Sequence, residues 1–268
     1  KDGETTTRRE CRVLGAATFV EAWLEDGKKP GQYPVVSVRR DDTGGVRGRA
    51  ELYTCIPREV TAPLFADLHA AVLMSATLRP FDVTEDVLGV EDPVTMAYGA
   101  QFPEERRRTY AVDVPPLYAR NRDDPGVQET VTEVLADAVR FTPGNTLAFF
   151  PSYAEAERYY HRVETDATPY LDRPGVRAEE LREEFVDDDH GVLFTSLWGT
   201  LTEGVSYDGD DARTVVVVGV PYPHLDDRMD AVQRAYAGAF GEGTPAERED
   251  AGWRYAVEIP TVRKTRQA

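Results

Sequence analysis

Val192-Leu193-Phe194-Thr195 runs directly into Ser196-Leu197-Trp198-Gly199-Thr200-Leu201-Thr202-Glu203-Gly204. The first four residues are apolar or β-branched and read as a short buried strand, which the change to glycine and hydroxyl side chains stops. The pattern recurs at Thr146–Phe150 before Pro151-Ser152-Tyr153, and at Thr214–Val220 before Pro221-Tyr222. A further strand is expected at Thr109–Val114. Helical spacing fills Val127–Arg140, Tyr153–Val163, Arg177–Phe185 and Asp226–Phe240, and resumes from Ala251 onward. Strands separated by helices predict an α/β fold with a parallel sheet covered on both faces. Ligands of such sheets sit at the carboxyl ends of the strands. Those ends here are rich in glycine and hydroxyls, as backbone contacts to phosphate require.

Before Pro80 the pattern differs. Ala16–Leu24 has helical spacing and a stop at Asp26-Gly27. Tyr33–Val38 and Glu51–Ile56 read as strands around the turn-rich Asp41–Gly48, followed by a helix near Pro63–His69. Ala71-Val72-Leu73-Met74 reads as a buried strand stopped by Ser75-Ala76-Thr77. No repeat or low-complexity tract interrupts the chain.

A chain of 268 residues with 41% hydrophobic content accommodates one large domain or two modest ones. The longest apolar run, Val215–Val218, is far shorter than a membrane span, and nothing resembles a signal peptide. The first residue is Lys1 rather than methionine, so a start partway into a larger protein is expected. Cys11 and Cys55 lack CxxC spacing, which favours reduced thiols in a cytoplasmic protein over a disulfide or a zinc site. His69, His161, His190 and His224 are scattered and form no ligand pattern, so no metal site is expected.

Charge is more informative. Asp and Glu total 48 against 31 Lys and Arg, for a net charge of −17, and the lysines are Lys1, Lys28, Lys29 and Lys264 alone. An acidic, lysine-poor surface suits molar salt, where screening is strong and excess charge maintains solubility. A halophilic host is expected. The acidity does not exclude nucleic acid there, because counter-ion release has faded at such salt and short-range hydrogen bonds and stacking carry binding.

Taken in order, the turns resemble a known family. Val72-Leu73-Met74-Ser75-Ala76-Thr77-Leu78 resembles motif III of superfamily 2 helicases of the XPD/DinG type. Thr146 to Tyr153 resembles motif IV of that group, and Leu193 to Gly204 its motif V. Val216-Val217-Val218-Gly219-Val220-Pro221-Tyr222 is similar to the turn that follows motif V. Arg263-Lys264-Thr265-Arg266-Gln267-Ala268 resembles the opening of motif VI, and Phe102–Arg106 a segment placed before the second motor's first strand.

The resemblance implies a RecA-like fold and the second motor of an ATP-dependent helicase moving 5′→3′ on single-stranded DNA, expected in DNA repair. Residues 1–80 are then the end of the first motor domain, and 81–268 the second, cut within motif VI. ATP and Mg²⁺ are implied for the complete protein. A [4Fe–4S] cluster is implied too, its ligands outside this chain, as are the Walker A loop, the DEAH-type box and the motif VI arginines. The remainder of the first motor is the expected structural partner of a monomer.

The resemblance also assigns roles. Ser75, Ala76 and Thr77 couple nucleotide state to the gap between motors, unless the two hydroxyls only cap the next turn. Ser152, Tyr153, Thr195, Ser196 and Thr200 face DNA, with Tyr153 and Trp198 either stacking on bases or packing inward. Glu203, Gly204 and Gln267 line the nucleotide cleft, although Glu203 could instead complement a helix N-terminus. One departure stands out. Where the family has Asp two residues after Glu-Gly, this chain has Ser206, and either Ser206 or Asp208 takes over. The competing reading is a DNA-binding or docking α/β module with a degenerate, non-hydrolysing ATPase.

Overall fold

In a computed structural model of the chain, residues 12–24, 29, 31–40, 43–99, 103–106, 108–118 and 120–267 are described. The stop at Asp26-Gly27, Cys11, Phe102 and Ala268 lie outside them. The chain divides into two compact units that interleave. One comprises Lys1–Met74, Arg79–Val94 and His224–Val257, the other Ser75–Leu78, Thr95–Pro223 and Glu258–Ala268. The motif order suggests a cut near residue 80, whereas residues 224–257 return to the first unit.

That unit opens with α1 (Arg12–Leu24) and an antiparallel hairpin of β1 (Gln32–Arg40) and β2 (Val46–Thr54), Val35 opposite Glu51. Next come α2 (Arg58–Ala66) and α3 (Phe81–Leu88), which Gly89 closes in the left-handed region at φ 66°. α2 begins earlier than Pro63, which sits inside it, and α3 is absent from the sequence expectation. Ala71–Met74 is not a strand. It is irregular, with Val72 81% and Met74 86% exposed. A strand requires a ladder, and no described strand pairs with these residues.

The second unit holds α4 (Pro125–Arg140), β3 (Thr146–Phe150), α5 (Tyr153–Tyr160), β4 (Thr168–Leu171), α6 (Ala178–Val186), β5 (Gly191–Ser196) and β6 (Thr214–Val217). The four strands form an all-parallel sheet in the order β4-β5-β3-β6. Every residue of β3 and β5 is buried, as central strands covered on both faces must be. Alternation sends Ala148, Phe150, Val192 and Phe194 to one face, against Val131, Leu135 and Val139 of α4 and Ala156 and Tyr159 of α5. Leu147, Phe149 and Leu193 face Leu181 and Phe185 of α6 together with Leu197 and Leu201.

Two helices of this unit, α4 and α5, start on side-chain caps. Asp124 accepts from the amides of Gly126 and Val127 at the head of α4, where Pro125 fits because its missing N–H needs no partner. β4 escapes the sequence reading because it is short and contains Pro169, which an edge strand tolerates. Thr109–Val114, expected as a strand, is irregular with Tyr110 and Val112 exposed, and no described strand pairs with it. β6 ends at Val217 and α5 at Tyr160, each earlier than expected.

The chain then adds α7 (Asp227–Phe240) and α8 (Pro245–Trp253) to the first unit. Ala235, Tyr236, Ala256 and Val257 pack on Cys55 and Ile56, and this apolar cluster is why 224–257 belongs there. A π turn, Arg254–Glu258, leads into α9 (Ile259–Gln267) of the second unit.

Candidate functional site at the carboxyl edge of the parallel sheet

β3 and β5 end side by side, with the Leu197 amide donating to the Phe150 carbonyl at 2.9 Å. The turn after each strand therefore meets the other. Ser152 is the N-cap of α5, its hydroxyl accepting from the Glu155 amide at 3.3 Å. Half-buried Tyr153 places its hydroxyl in hydrogen-bond contact with Thr200. Burial first, and then the charge of Asp172, hold that hydroxyl's pKa above its ordinary value. A Cβ on Gly199 would lie 2.7 Å from the Tyr153 hydroxyl, so the loop approaches this closely only with glycine.

The five residues expected to face DNA do not share one environment. Thr195 and Ser196 are fully buried, and their hydroxyls are used internally. Thr195 donates to a carboxylate oxygen of Asp172 at 2.7 Å, while Ser196 Oγ accepts from the Trp198 amide at 3.2 Å. The Ser196 carbonyl gathers the Gly199 amide at 2.8 Å and the Thr202 hydroxyl at 2.9 Å, winding the loop around one residue. Thr200 is exposed, Trp198 is 44% exposed, and Ser152 and Tyr153 are intermediate. Asp172, at the end of β4, is only 3% exposed, and desolvation raises its pKa against the effect of the Thr195 bond. Neither the shortness of β4 nor its proline drew attention to this carboxylate.

Glu203 does not complement a helix terminus. Its carboxylate sits 2.5 Å from Lys264 Nζ on α9. Lys264 is 5% exposed and Glu203 63%, so a buried ammonium is neutralised by a solvent-facing carboxylate. Lys264 Nζ also lies 5.4 Å from the centre of the Trp198 ring, within cation–π range, and 3.5 Å from Oε1 of exposed Gln267. Trp198, Gly199, Thr200, Glu203 and Lys264 line a shallow concavity of ≈ 370 Å³. Sequence reasoning missed Lys264, although its rarity in a chain with four lysines was a signal.

Gly204 follows Glu203 at φ 72°, a left-handed conformation that favours glycine. Beyond it, the Ser206 carbonyl accepts from Nη2 and Nε of Arg182 at 2.6 and 3.2 Å, and the Asp208 amide donates to Asp211 at 3.1 Å. Arg182 of α6 thus fastens the stretch that the departure at Ser206 left open. Ser75 Oγ accepts from the Thr77 amide at 3.2 Å and lies 3.3 Å from the Thr77 hydroxyl, a local turn with Ala76 exposed between them. The next residue, Leu78, accepts through its carbonyl from Arg263 Nη2 at 2.9 Å. Arg263 thus reaches off its own helix.

The residues present do not fit an iron–sulfur cluster. Four thiolates are needed. The chain has two cysteines, and Cys55 is buried among apolar side chains that push its thiol up to about 11. Among the described residues no group of three or more His, Cys, Asp or Glu could hold a metal ion. No described helix is long and apolar enough to cross a membrane.

Residues 135–268 match the model of the helicase C-terminal domain family. The chain is 21% identical over 198 residues to the general transcription and DNA repair factor IIH helicase subunit XPD/RAD3 of Saccharomyces cerevisiae, covering 66% of this chain and 25% of that protein. It is 26% identical over 199 residues to the ATP-dependent DNA helicase DDX11 of Danio rerio, covering 61% of this chain and 22% of that protein. It therefore spans about a quarter of the length of these curated relatives. A solved XPD helicase superposes with a TM-score of 0.60 over 81% of this chain and 39% of its own, at 21% identity. A second XPD, in apo form, gives 0.58 over 95% of this chain and 49% of its own, also at 21% identity. The sheet is thus RecA-like, and the chain belongs to the helicase C-terminal domain family, in its XPD-type superfamily 2 form.

Proposed function

We propose that the chain supplies the second motor half of an ATP-dependent DNA helicase that tracks 5′→3′ on single-stranded DNA in DNA repair. The observation that carries this reading is the meeting of the Tyr153 turn, the 197–203 loop and α9 at one carboxyl edge. A DNA strand and a nucleotide phosphate both need backbone amides, hydroxyls and a cation there. In this reading Thr200, Trp198 and the Ser152–Tyr153 turn face the strand. Thr195 and Ser196 shape the loop from beneath, contributing backbone rather than hydroxyls. Glu203, Gly204 and Gln267 border the nucleotide cleft, and Ser75, Ala76 and Thr77 relay its state. Residues 1–80 close the first motor domain and 81–268 form the second, with 224–257 of the second folded into the first compact unit, in a cytoplasmic monomer.

ATP is the fuel, and Mg²⁺ and a [4Fe–4S] cluster belong to parts of the whole protein other than these residues. When bound, Mg²⁺ neutralises developing phosphate charge. This chain's own residues hold the loop and the strand. They contain no P-loop lysine, so the chain by itself is inactive toward ATP.

The test is DNA-stimulated phosphate release and strand displacement at high salt. Three samples are compared: this chain, the full-length protein, and the full-length protein with Glu203→Ala. The reading requires a silent chain, a full-length enzyme that unwinds duplexes with 5′ but not 3′ overhangs, and a clearly weakened variant. A full-length protein that binds DNA but never hydrolyses ATP points instead to a docking module with a degenerate ATPase.

A further inference from the structure

We propose that Lys264, beside the Trp198 ring, is a seat for a phosphate oxyanion, and that Glu203 fills this seat in the present conformation and leaves it when a phosphate arrives. The site is new. The motif resemblance gives Lys264 no role and sets Glu203 toward the nucleotide. The identity of the phosphate rests on the helicase reading above, while the exchange itself rests on this geometry.

An ammonium taken out of water needs a counter-ion, and removing one without replacement is costly. Lys264 is 5% exposed and is the sole cation among the five residues lining the concavity. Its counter-ion is the reverse of buried. Glu203 is 63% exposed, on a loop that continues into Gly204 at φ 72°. That exposed side chain can change rotamer into solvent, so the carboxylate can swing outward. A phosphate entering behind it replaces one charge-assisted hydrogen bond with another of the same class, and the ammonium stays paired throughout.

The surroundings suit phosphate better than a second carboxylate. Trp198 presents 44% of its surface beside the ammonium, a platform on which a base attached to that phosphate can stack. Thr200 adds an exposed side chain to the same lining. The shared chemistry is an oxyanion carrying an aromatic base. It can come from a DNA phosphodiester or from a nucleotide.

Equilibrium binding to the full-length protein at constant molar KCl separates the two. The probes are a fluorescent oligothymidylate and a fluorescent ATP analogue, measured against wild type, Glu203→Gln, Lys264→Gln, Lys264→Arg and the Glu203→Gln/Lys264→Gln double variant. Emptying the seat of its resident carboxylate should tighten one probe roughly three- to tenfold, and Lys264→Gln should weaken it about tenfold. Lys264→Arg should retain binding and guards against misfolding as the explanation. In the double variant the gain from Glu203→Gln must vanish, because there is no ammonium left to free. A gain for the oligonucleotide alone assigns the seat to DNA, and for the ATP analogue alone to nucleotide. If Glu203→Gln weakens both probes, or its gain survives without Lys264, the exchange is wrong even where wild type binds DNA normally. If wild type binds neither probe, the helicase reading fails as well.

Discussion

The guanidinium of Arg263, on α9, donates to the Leu78 carbonyl at 2.9 Å, joining that helix to the residue that follows Ser75-Ala76-Thr77. The two are 185 positions apart in the chain, so this bond fixes a long-range closure within the second unit. A charged donor to a partly buried carbonyl is worth about 1.5–3 kcal/mol. Arg263→Ala should lower unfolding stability by that amount in urea titrations at fixed salt. Arg263→Lys should recover only part of it, because the lysine ammonium is a strongly hydrated point charge without arginine's planar, pre-organised donor geometry. Unchanged midpoints in both variants would show the contact to be energetically idle.

Asn145 should matter more than any residue of the rim. Its side-chain amide donates to the carbonyls of Phe185, Asp188 and Asp211 at 3.0, 2.8 and 3.3 Å, and its oxygen accepts from the Gly191 amide at 2.6 Å. One buried side chain therefore ties the end of α6, the entry to β5 and the approach to β6. Asn145→Ala leaves the buried Gly191 amide unpaired and should cost about 2–3 kcal/mol. Asn145→Asp should cost at least as much, since it sets a carboxylate against three carbonyls. Either variant melting like wild type would contradict this account.

What the sequence disclosed depended on whether local signals and tertiary partners agreed. β3 and β5 were legible because an unbroken apolar strand can only be central, and α4 because Val127, Val131, Leu135 and Val139 repeat every four residues behind a strong cap. Ala71–Met74 carries an equally apolar signal but has no described strand to pair with, and pairing is not a local property. β4 failed in the opposite way, a poor local strand made possible by an open position beside β5. At the site, the loop Ser196–Gly204 was legible as a glycine- and hydroxyl-rich strand end. Which hydroxyls turn inward was not, because the partner of Thr195 is Asp172, twenty-three residues away and just beyond an unforeseen strand. Lys264 was hidden for the same reason, since its partner Glu203 is sixty-one residues away.

Two carboxylates of the second unit should respond to acid in opposite directions. Burial raises the Asp172 pKa, so its protonated form favours the folded state. Its contribution is fully present below the ordinary carboxylate pKa and is lost as pH rises through the higher folded value. Asp172→Asn keeps an acceptor for the Thr195 hydroxyl and removes the ionisation, so it should gain stability at neutral pH relative to wild type, and the advantage should shrink in acid. Asp188 is the reverse. The backbone amide of His190, and then the Thr168 hydroxyl, hold its pKa below the ordinary range. Its contribution is present above the unfolded pKa and is lost as pH falls through the folded one. Asp188→Asn should therefore be destabilised at neutral pH and approach wild type in acid. Denaturant midpoints from neutral to acidic pH, taken as differences from wild type, check both signs, and parallel profiles for the two variants would refute the assignment.

Folding should require salt at molar rather than millimolar concentration. The chain carries 48 carboxylates and 31 cationic side chains, and many of its ion pairs are local arginine contacts on the surface. Exposed pairs of that kind are worth about 0–1 kcal/mol each and weaken further with salt, so they cannot hold the protein together in brine. The self-repulsion of a net charge of −17 acts over a much longer range. At about 0.01 M salt the Debye length is roughly 30 Å, so carboxylates across a whole unit repel one another. At 1 M it is about 3 Å, and the repulsion is confined to immediate neighbours. Screening therefore removes the large unfavourable term while sacrificing only small favourable ones, and apolar burial in the sheet is left to dominate. Thermal melts from dilute buffer to molar KCl should show the melting temperature rising steeply and then levelling. Potassium chloride and sodium chloride should act alike over the steep part, since screening depends on ionic strength rather than ion identity. A melting temperature that is flat or falls with added salt would remove the basis for a halophilic host, and would mean that the surface arginine pairs stabilise more than the net charge destabilises.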